Sequence, residues 1–139
     1  MKHNDRFSIK LDQPSKQFYG QTRFEQDEPG VLYFDVGFTG TAAKGMNTPF
    51  YVQVCTPETK LPRTFWYKVS LWQSGFEVFK DELTSSGSRA SGKWNTFVDS
   101  GRPLTLKVEC MPSHKVQGIW TPLLWIYAKA KHVQKAKLV

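Results

Sequence analysis

Phe65-Trp66-Tyr67-Lys68-Val69-Ser70-Leu71-Trp72-Gln73-Ser74-Gly75-Phe76-Glu77-Val78-Phe79-Lys80-Asp81-Glu82-Leu83 is the stretch that decides the fold class. In its first half Phe65, Tyr67, Val69 and Leu71 alternate with Trp66, Lys68, Ser70 and Trp72. Side chains of an extended chain point to opposite faces at successive residues, so this spacing predicts a strand. Gln73-Ser74-Gly75 supplies turn chemistry, the glycine tolerating the positive φ of a tight reversal, and Phe76 to Phe79 resumes a β-favouring aromatic run. The stretch predicts a β-hairpin.

The same rhythm extends outward in both directions. Phe7, Ile9 and Leu11 alternate with polar neighbours, and Gln17 to Glu25 is a further, more polar strand candidate of edge character. After the turn at Gln26-Asp27-Glu28-Pro29-Gly30, residues Leu32, Phe34, Val36 and Phe38 share a face opposite Tyr33, Asp35 and Gly37. Gly40 to Pro49 reads as a loop, Phe50 to Cys55 as a strand, and Thr84 to Lys93 as a Ser/Gly-rich loop. Trp94 to Val98 and Leu104 to Cys110 are strands, the latter alternating most cleanly of all. In the block from Ile119 to Ala130, interrupted at Thr121-Pro122, Leu123, Trp125 and Tyr127 lie on one side and Leu124, Ile126 and Ala128 on the other. A strand apolar on both faces belongs in the middle of a sheet or at a subunit contact.

Eight or nine short strands with turn signals between them predict an all-β, two-layer antiparallel sandwich or jelly roll, with a short C-terminal helix or a disordered basic tail. At 139 residues the chain is long enough for one domain with a core of its own, placed at residues 1–128. The formal charge of +7 is concentrated at the end: Lys129, Lys131, Lys135 and Lys137 stand in residues 129–139 with no acid, and the body holds 15 basic and 12 acidic groups. That tail is read either as a solvated terminus or as a basic contact arm. No apolar run is long enough for a membrane-spanning helix and the N-terminus lacks a signal-peptide pattern, so synthesis in the cytoplasm of a host cell is expected.

Catalytic chemistry finds little support. Gly87-Ser88-Arg89-Ala90-Ser91-Gly92-Lys93 matches the spacing of a phosphate-binding loop, but Trp94 follows where a metal-holding Ser or Thr is needed, and a strand follows where a helix must begin. Cys55 and Cys110 lack zinc-site spacing and read as buried reduced thiols, and His3, His114 and His132 are isolated. The carboxylates Glu25, Asp27 and Glu28, and again Asp81 and Glu82, fall at turns and strand ends, outside the clefts that acid-base work requires. The expectation is a protein that is not an enzyme and has no cofactor or metal. What stands out is the aromatic surplus of ten Phe, five Trp and five Tyr. Trp66, Trp72, Trp125 and Tyr127 form the candidate partner-contact face, because a strand has only two faces and the core claims one.

From Arg23 to Thr59 the chain resembles the N-terminal modules of distal-tail and baseplate proteins of siphophages that infect Gram-positive bacteria. The similar features are Arg23-Phe24-Glu25-Gln26-Asp27, the apolar Val31-Leu32-Tyr33-Phe34, a glycine-bearing turn, and a strand closed by Thr56-Pro57-Glu58-Thr59. The second half, with Tyr67 to Trp72 and Trp94-Asn95-Thr96-Phe97 before Ser100-Gly101, looks like the small β-sandwiches used in such tails for attachment. The resemblance implies a non-enzymatic virion component that contacts other virion subunits and itself at or near the receptor-binding end; with Trp66 and Trp72 as sugar platforms, cell-wall carbohydrate is a further expected partner. A rival resemblance runs from Leu32 to Arg63, through Asn47-Thr48-Pro49-Phe50 and Leu61-Pro62-Arg63, to the small matrix proteins of some negative-strand RNA viruses. It implies a basic module that binds nucleic acid or an acidic membrane, a role the lysine tail would suit.

Overall fold

The computed structural model describes residues 4–11, 15–25, 27–38, 47–56, 64–86, 91–99, 101–112 and 117–128. The organising hairpin is formed by Thr64–Gln73 and Phe76–Ser86, closed by two residues, Ser74 (φ 54°) and Gly75 (φ 80°). Positive φ at both central positions is the type I′ geometry, whose twist matches that of the flanking strands. Leu71 pairs with Phe79 but Trp72 with Glu77, so Val78 is an extra, bulged residue just past the turn.

In chain order the strands are β1 Asn4–Leu11, β2 Ser15–Tyr19, β3 Thr22–Phe24, β4 Gly30–Phe38, β5 Asn47–Cys55, β6 Thr64–Gln73, β7 Phe76–Ser86, β8 Ser91–Asp99, β9 Leu104–Pro112, β10 Gly118–Trp120 and β11 Leu123–Ala128. They make a five-stranded sheet of order β1-β4-β9-β6-β7, a four-stranded sheet of order β2-β11-β5-β8, and a two-stranded ribbon of β3 and β10. Every pair is antiparallel except β1 with β4, which is parallel. The chain crosses between the large sheets after β1, β4, β5, β7 and β8, so the sheets are layers of one sandwich and share one core.

Among the described residues eleven strands replace the expected eight or nine, for a local reason. The segment 17–25 is broken at Gly20 and the block 119–130 at Pro122, and these breaks face each other: the Gly20 N–H donates to the Pro122 carbonyl at 3.3 Å. Tyr19 pairs with Leu123 on one side and Thr22 with Trp120 on the other, so the ladder continues in register across a bend. The bent part, β3 with β10, carries buried Phe24 and Trp120 into the core. Thr84 to Lys93 is largely strand, not loop, because β7 runs to Ser86 and β8 begins at Ser91; only 87–90 lies outside the described residues. Likewise β5 begins at Asn47, ahead of the expected Phe50. Pro49 lies one residue beyond the last β5–β11 pair, where a missing N–H disturbs no ladder on that side.

The core is built as the alternation dictates. Leu32, Phe34 and Val36 of β4, Phe65, Tyr67, Val69 and Leu71 of β6, and Leu104, Leu106, Val108 and Cys110 of β9 face Phe50, Val52 and Val54 of β5, Trp94 and Val98 of β8, and Leu124 and Ile126 of β11. Two buried polar clusters tie the layers together. The Trp120 indole N–H donates to Thr56 Oγ1 at 3.3 Å, and the same hydroxyl shares a short hydrogen bond with the Tyr67 phenol. Elsewhere the buried Gln73 carboxamide donates to the Asp99 carbonyl at 2.6 Å and accepts from the Asp99 N–H at 3.0 Å, joining the end of β6 to the end of β8. Cys110 is buried as expected, whereas Cys55 is only half-buried on an outer face. The three histidines and the whole tail, 129–139, lie outside the described residues. Among the described residues no helix is long and apolar enough to cross a membrane.

Candidate contact surfaces

With the inward positions filled by the core, each sheet presents its other face to the outside. The register places Trp66 and Trp72 on the outer face of the five-stranded sheet, and Trp125 and Tyr127 on the outer face of the four-stranded one. The four candidate residues therefore do not form one surface. They lie on opposite sides of the sandwich, in surroundings of different chemistry.

The outer face of the five-stranded sheet is charged. Successive cross-strand rows read Arg6, Tyr33, Lys107, Ser70, Lys80; then Ser8, Asp35, Thr105, Trp72, Glu77; and, toward the other end, Val31, Glu109, Lys68, Glu82. Arg6 grips Asp35 bidentately, with Nε and Nη2 each 2.7 Å from a carboxylate oxygen, and the Thr105 hydroxyl donates to the same carboxylate at 3.1 Å. The Arg6 guanidinium and the Lys107 ammonium sit 5.5 and 5.7 Å from the Tyr33 ring centroid, within cation-π range. Trp66 is half-buried and its indole N–H donates to Glu82 at 2.8 Å, so it is engaged within the sheet. Trp72 is 36% exposed, its N–H held by Ser70 Oγ at 3.2 Å. Beside it, next to the hairpin turn, lies an open hollow of about 340 Å³.

The outer face of the four-stranded sheet is aromatic and nearly uncharged. Its rows are Tyr19, Leu123, Cys55, Ser91; then Gln17, Trp125, Gln53, Lys93; then Tyr127, Tyr51, Asn95, with Phe97 opposite Pro49 beyond them. Lys93 is the single charged residue of these rows. Tyr19 is 68% exposed, Phe97 63% and Trp125 37%, and the Tyr51 hydroxyl donates to Gln53 Oε1 at 3.2 Å. Of the residues on this face the sequence reading names Trp125 and Tyr127 as contact candidates but not Tyr19, Tyr51 and Phe97. Their outward parity could be read from the alternation, but their proximity required knowing that β11 lies between β2 and β5.

The sites of catalytic interest resolve into structure. Residues 91–99, following the glycine-rich stretch, are strand β8, so no helix N-terminus stands there to receive a phosphate. In the first acidic cluster the Glu28 N–H donates to the Glu25 carbonyl at 3.1 Å and Asp27 stands at φ 68°. Among the described residues no group of three or more His, Cys, Asp or Glu side chains could hold a metal ion.

No protein-family model matches the chain, and no curated protein matches it in sequence. Several solved structures are similar to it in fold. The VP2 subviral particle of infectious bursal disease virus is 9% identical, with a TM-score of 0.43 over 81% of this chain and 32% of that one. Dimeric latent PorU from Porphyromonas gingivalis is 8% identical, with a TM-score of 0.43 over 83% of this chain and 13% of that one. The Yersinia pseudotuberculosis-derived mitogen is 11% identical, with a TM-score of 0.39 over 83% of this chain and 84% of that one. The chain thus spans a third or less of the first two, and likeness at this level concerns β architecture alone.

Proposed function

We propose that the protein is a non-enzymatic structural component of a virus particle, a subunit of a phage tail tip or baseplate that works by touching other subunits and itself. The phage assignment is supported by the resemblance of residues 23–59 described above. The contact role is supported by one observation, the outer face of the four-stranded sheet, where Tyr19, Leu123, Trp125, Tyr51, Tyr127 and Phe97 are gathered with a single charge. Interface cores are depleted of charge and enriched in Tyr, Trp and Phe. The polar members of this face, three phenols and the amides of Gln17, Gln53 and Asn95, both donate and accept hydrogen bonds, so two copies can satisfy each other without a partner of opposite charge.

Sedimentation of the purified protein over a concentration series tests the reading. A defined oligomer is expected, which Trp125→Asp disperses while Trp66→Ala, on the opposite face, leaves it intact. Immunogold labelling of particles should place the chain at the tail end. A strict monomer that is absent from particles overturns the proposal. The alternative, a basic module for nucleic acid or acidic membrane, draws support from the row of Arg6, Lys107 and Lys80. It requires binding that weakens steeply between low and moderate salt.

A further inference from the structure

The hollow beside the hairpin turn lies across the thickness of the sandwich from the aromatic face, and the assembly reading makes no use of it. Arg6, Tyr33, Lys107, Thr105, Trp72 and Ser74 line it, and no carboxylate does. We infer that this hollow binds an acidic saccharide, a sugar ring carrying one carboxylate or phosphate, with the ring against Trp72 and the anion between Arg6 and Lys107.

Size, charge and preorganisation lead to that class. About 340 Å³ is near the lower end of small-molecule sites, which start at about 300 Å³, so the hollow suits a single unit of a polymer better than a length of it. The cations are held without being consumed. Arg6 is oriented by its fork on Asp35, which is not among the residues lining the hollow, yet 58% of its side chain is exposed. Lys107 lies 3.6 Å from Glu109, a loose pairing with a residue of the neighbouring row. Tyr33 has both cations at its ring, leaving Trp72 as the aromatic surface open to a ligand. Its indole is pinned by the bond to Ser70, so little side-chain entropy is lost on binding. The negative π face of an indole attracts the slightly positive C–H groups along one side of a pyranose. The Thr105 oxygen, its proton given to Asp35, can still accept from a sugar hydroxyl, and Ser74, which accepts from Arg102 at 3.1 Å, can still donate to one. A nucleic acid would meet the basic row as a whole, Lys80 included, whereas Lys80 does not line the hollow.

The inference is independent of the assembly reading, and the Trp125→Asp protein provides a background in which one can fail without the other. The test follows the indole N–H resonances of ¹⁵N-labelled protein during titration with methyl glucuronide, methyl glucoside and inorganic phosphate, Trp72 being assigned by the signal missing from Trp72→Phe. The expected result is a saturable shift of the Trp72 signal by the glucuronide, with a dissociation constant of about 1 mM. The glucoside should bind at least about 5-fold more weakly, and Lys107→Gln should weaken the glucuronide about 5-fold. Arg6→Gln gives a comparable loss and serves if Lys107→Gln does not fold. Lys80→Gln, in the same row but outside the hollow, should leave the affinity unchanged. No Trp72 shift, equal binding of the glucoside, the same shift from phosphate alone, or an equal loss in Lys80→Gln each overturns the inference. So does displacement of the glucuronide by an oligonucleotide whose binding collapses with salt.

Discussion

The indole of Trp94 lies over Gly92, so close that a Cβ placed on the glycine would fall 2.4 Å from the ring's Cη2 atom. Both residues point inward from β8, and Trp94 is buried in the core, so the ring has no free space into which to swing. Gly92→Ala should therefore behave as an overpacking substitution, costing about 1 to 3 kcal/mol by urea denaturation. Adding Trp94→Leu, which removes the obstructing ring, should make the further change at position 92 almost neutral.

Thr56 stands between the buried Trp120 indole N–H, from which it accepts, and the Tyr67 hydroxyl. Replacing it with Val keeps the shape but strips the acceptor from the Trp120 N–H and removes one bond of the Tyr67 hydroxyl, so a loss of about 1 to 3 kcal/mol is expected, mostly from the unpaired indole. Tyr67→Phe removes one of the groups that needs satisfying and should cost only about 1 kcal/mol. If calorimetry finds Tyr67→Phe the costlier change, the hydroxyl of Thr56 is not the centre of the cluster.

Burial pushes the Tyr67 phenol up from its ordinary value of 10.0; the neighbouring Cys110 adds to the rise and the bond to Thr56 opposes it. Burial also pushes the Cys110 thiol up from 9.0. Both groups keep their protons in the folded state at a pH where the unfolded chain has lost them. Their contribution is complete below about pH 9 and is lost as pH rises, at up to about 1.4 kcal/mol per pH unit for each group. Urea midpoints measured between pH 8 and 11 should fall, starting near pH 9 from the thiol and steepening above 10. Cys110→Ala should remove the early part of the decline and Tyr67→Phe the later part.

The Arg6–Asp35 fork holds the parallel strand β1 to β4 on a solvent-facing surface, with side-chain exposures of 58% and 38%. At that exposure the pair contributes only about 0.2 to 1 kcal/mol, and salt screens it. Arg6→Gln should lower stability by that amount in dilute buffer and by less in 1 M NaCl, with urea as the denaturant so that ionic strength stays under control.

The period-two patterns of residues 65–72 and 104–110 are enough to identify the sandwich and most of its core, and the two-sided apolarity of 123–128, which suits either the middle of a sheet or a subunit contact, is matched by the place of β11 between β2 and β5. Alternation assigns a side chain to a face but not a strand to a neighbour. The insertion of β9 between β4 and β6, which brings Lys107 beside Tyr33, and the parallel placement of β1 were therefore not legible. The same gap explains why Trp66 and Trp72 were grouped with Trp125 and Tyr127. Residues 84–86 and 91–93 read as loop in the sequence, yet are strand, because β7 and β8 are edge strands that need little of the apolar pattern of central ones.

The position of β11 sets an order of events during synthesis. It fills the gap between β2 and β5, yet β2 emerges first and waits for the ribosome to reach residue 123, roughly 5 to 20 seconds at ordinary elongation rates. Throughout that delay the strands that will flank it carry unpaired backbone and sticky side chains. A chain that stops before Leu123 lacks the strand that joins β2 to β5 and leaves both without that neighbour.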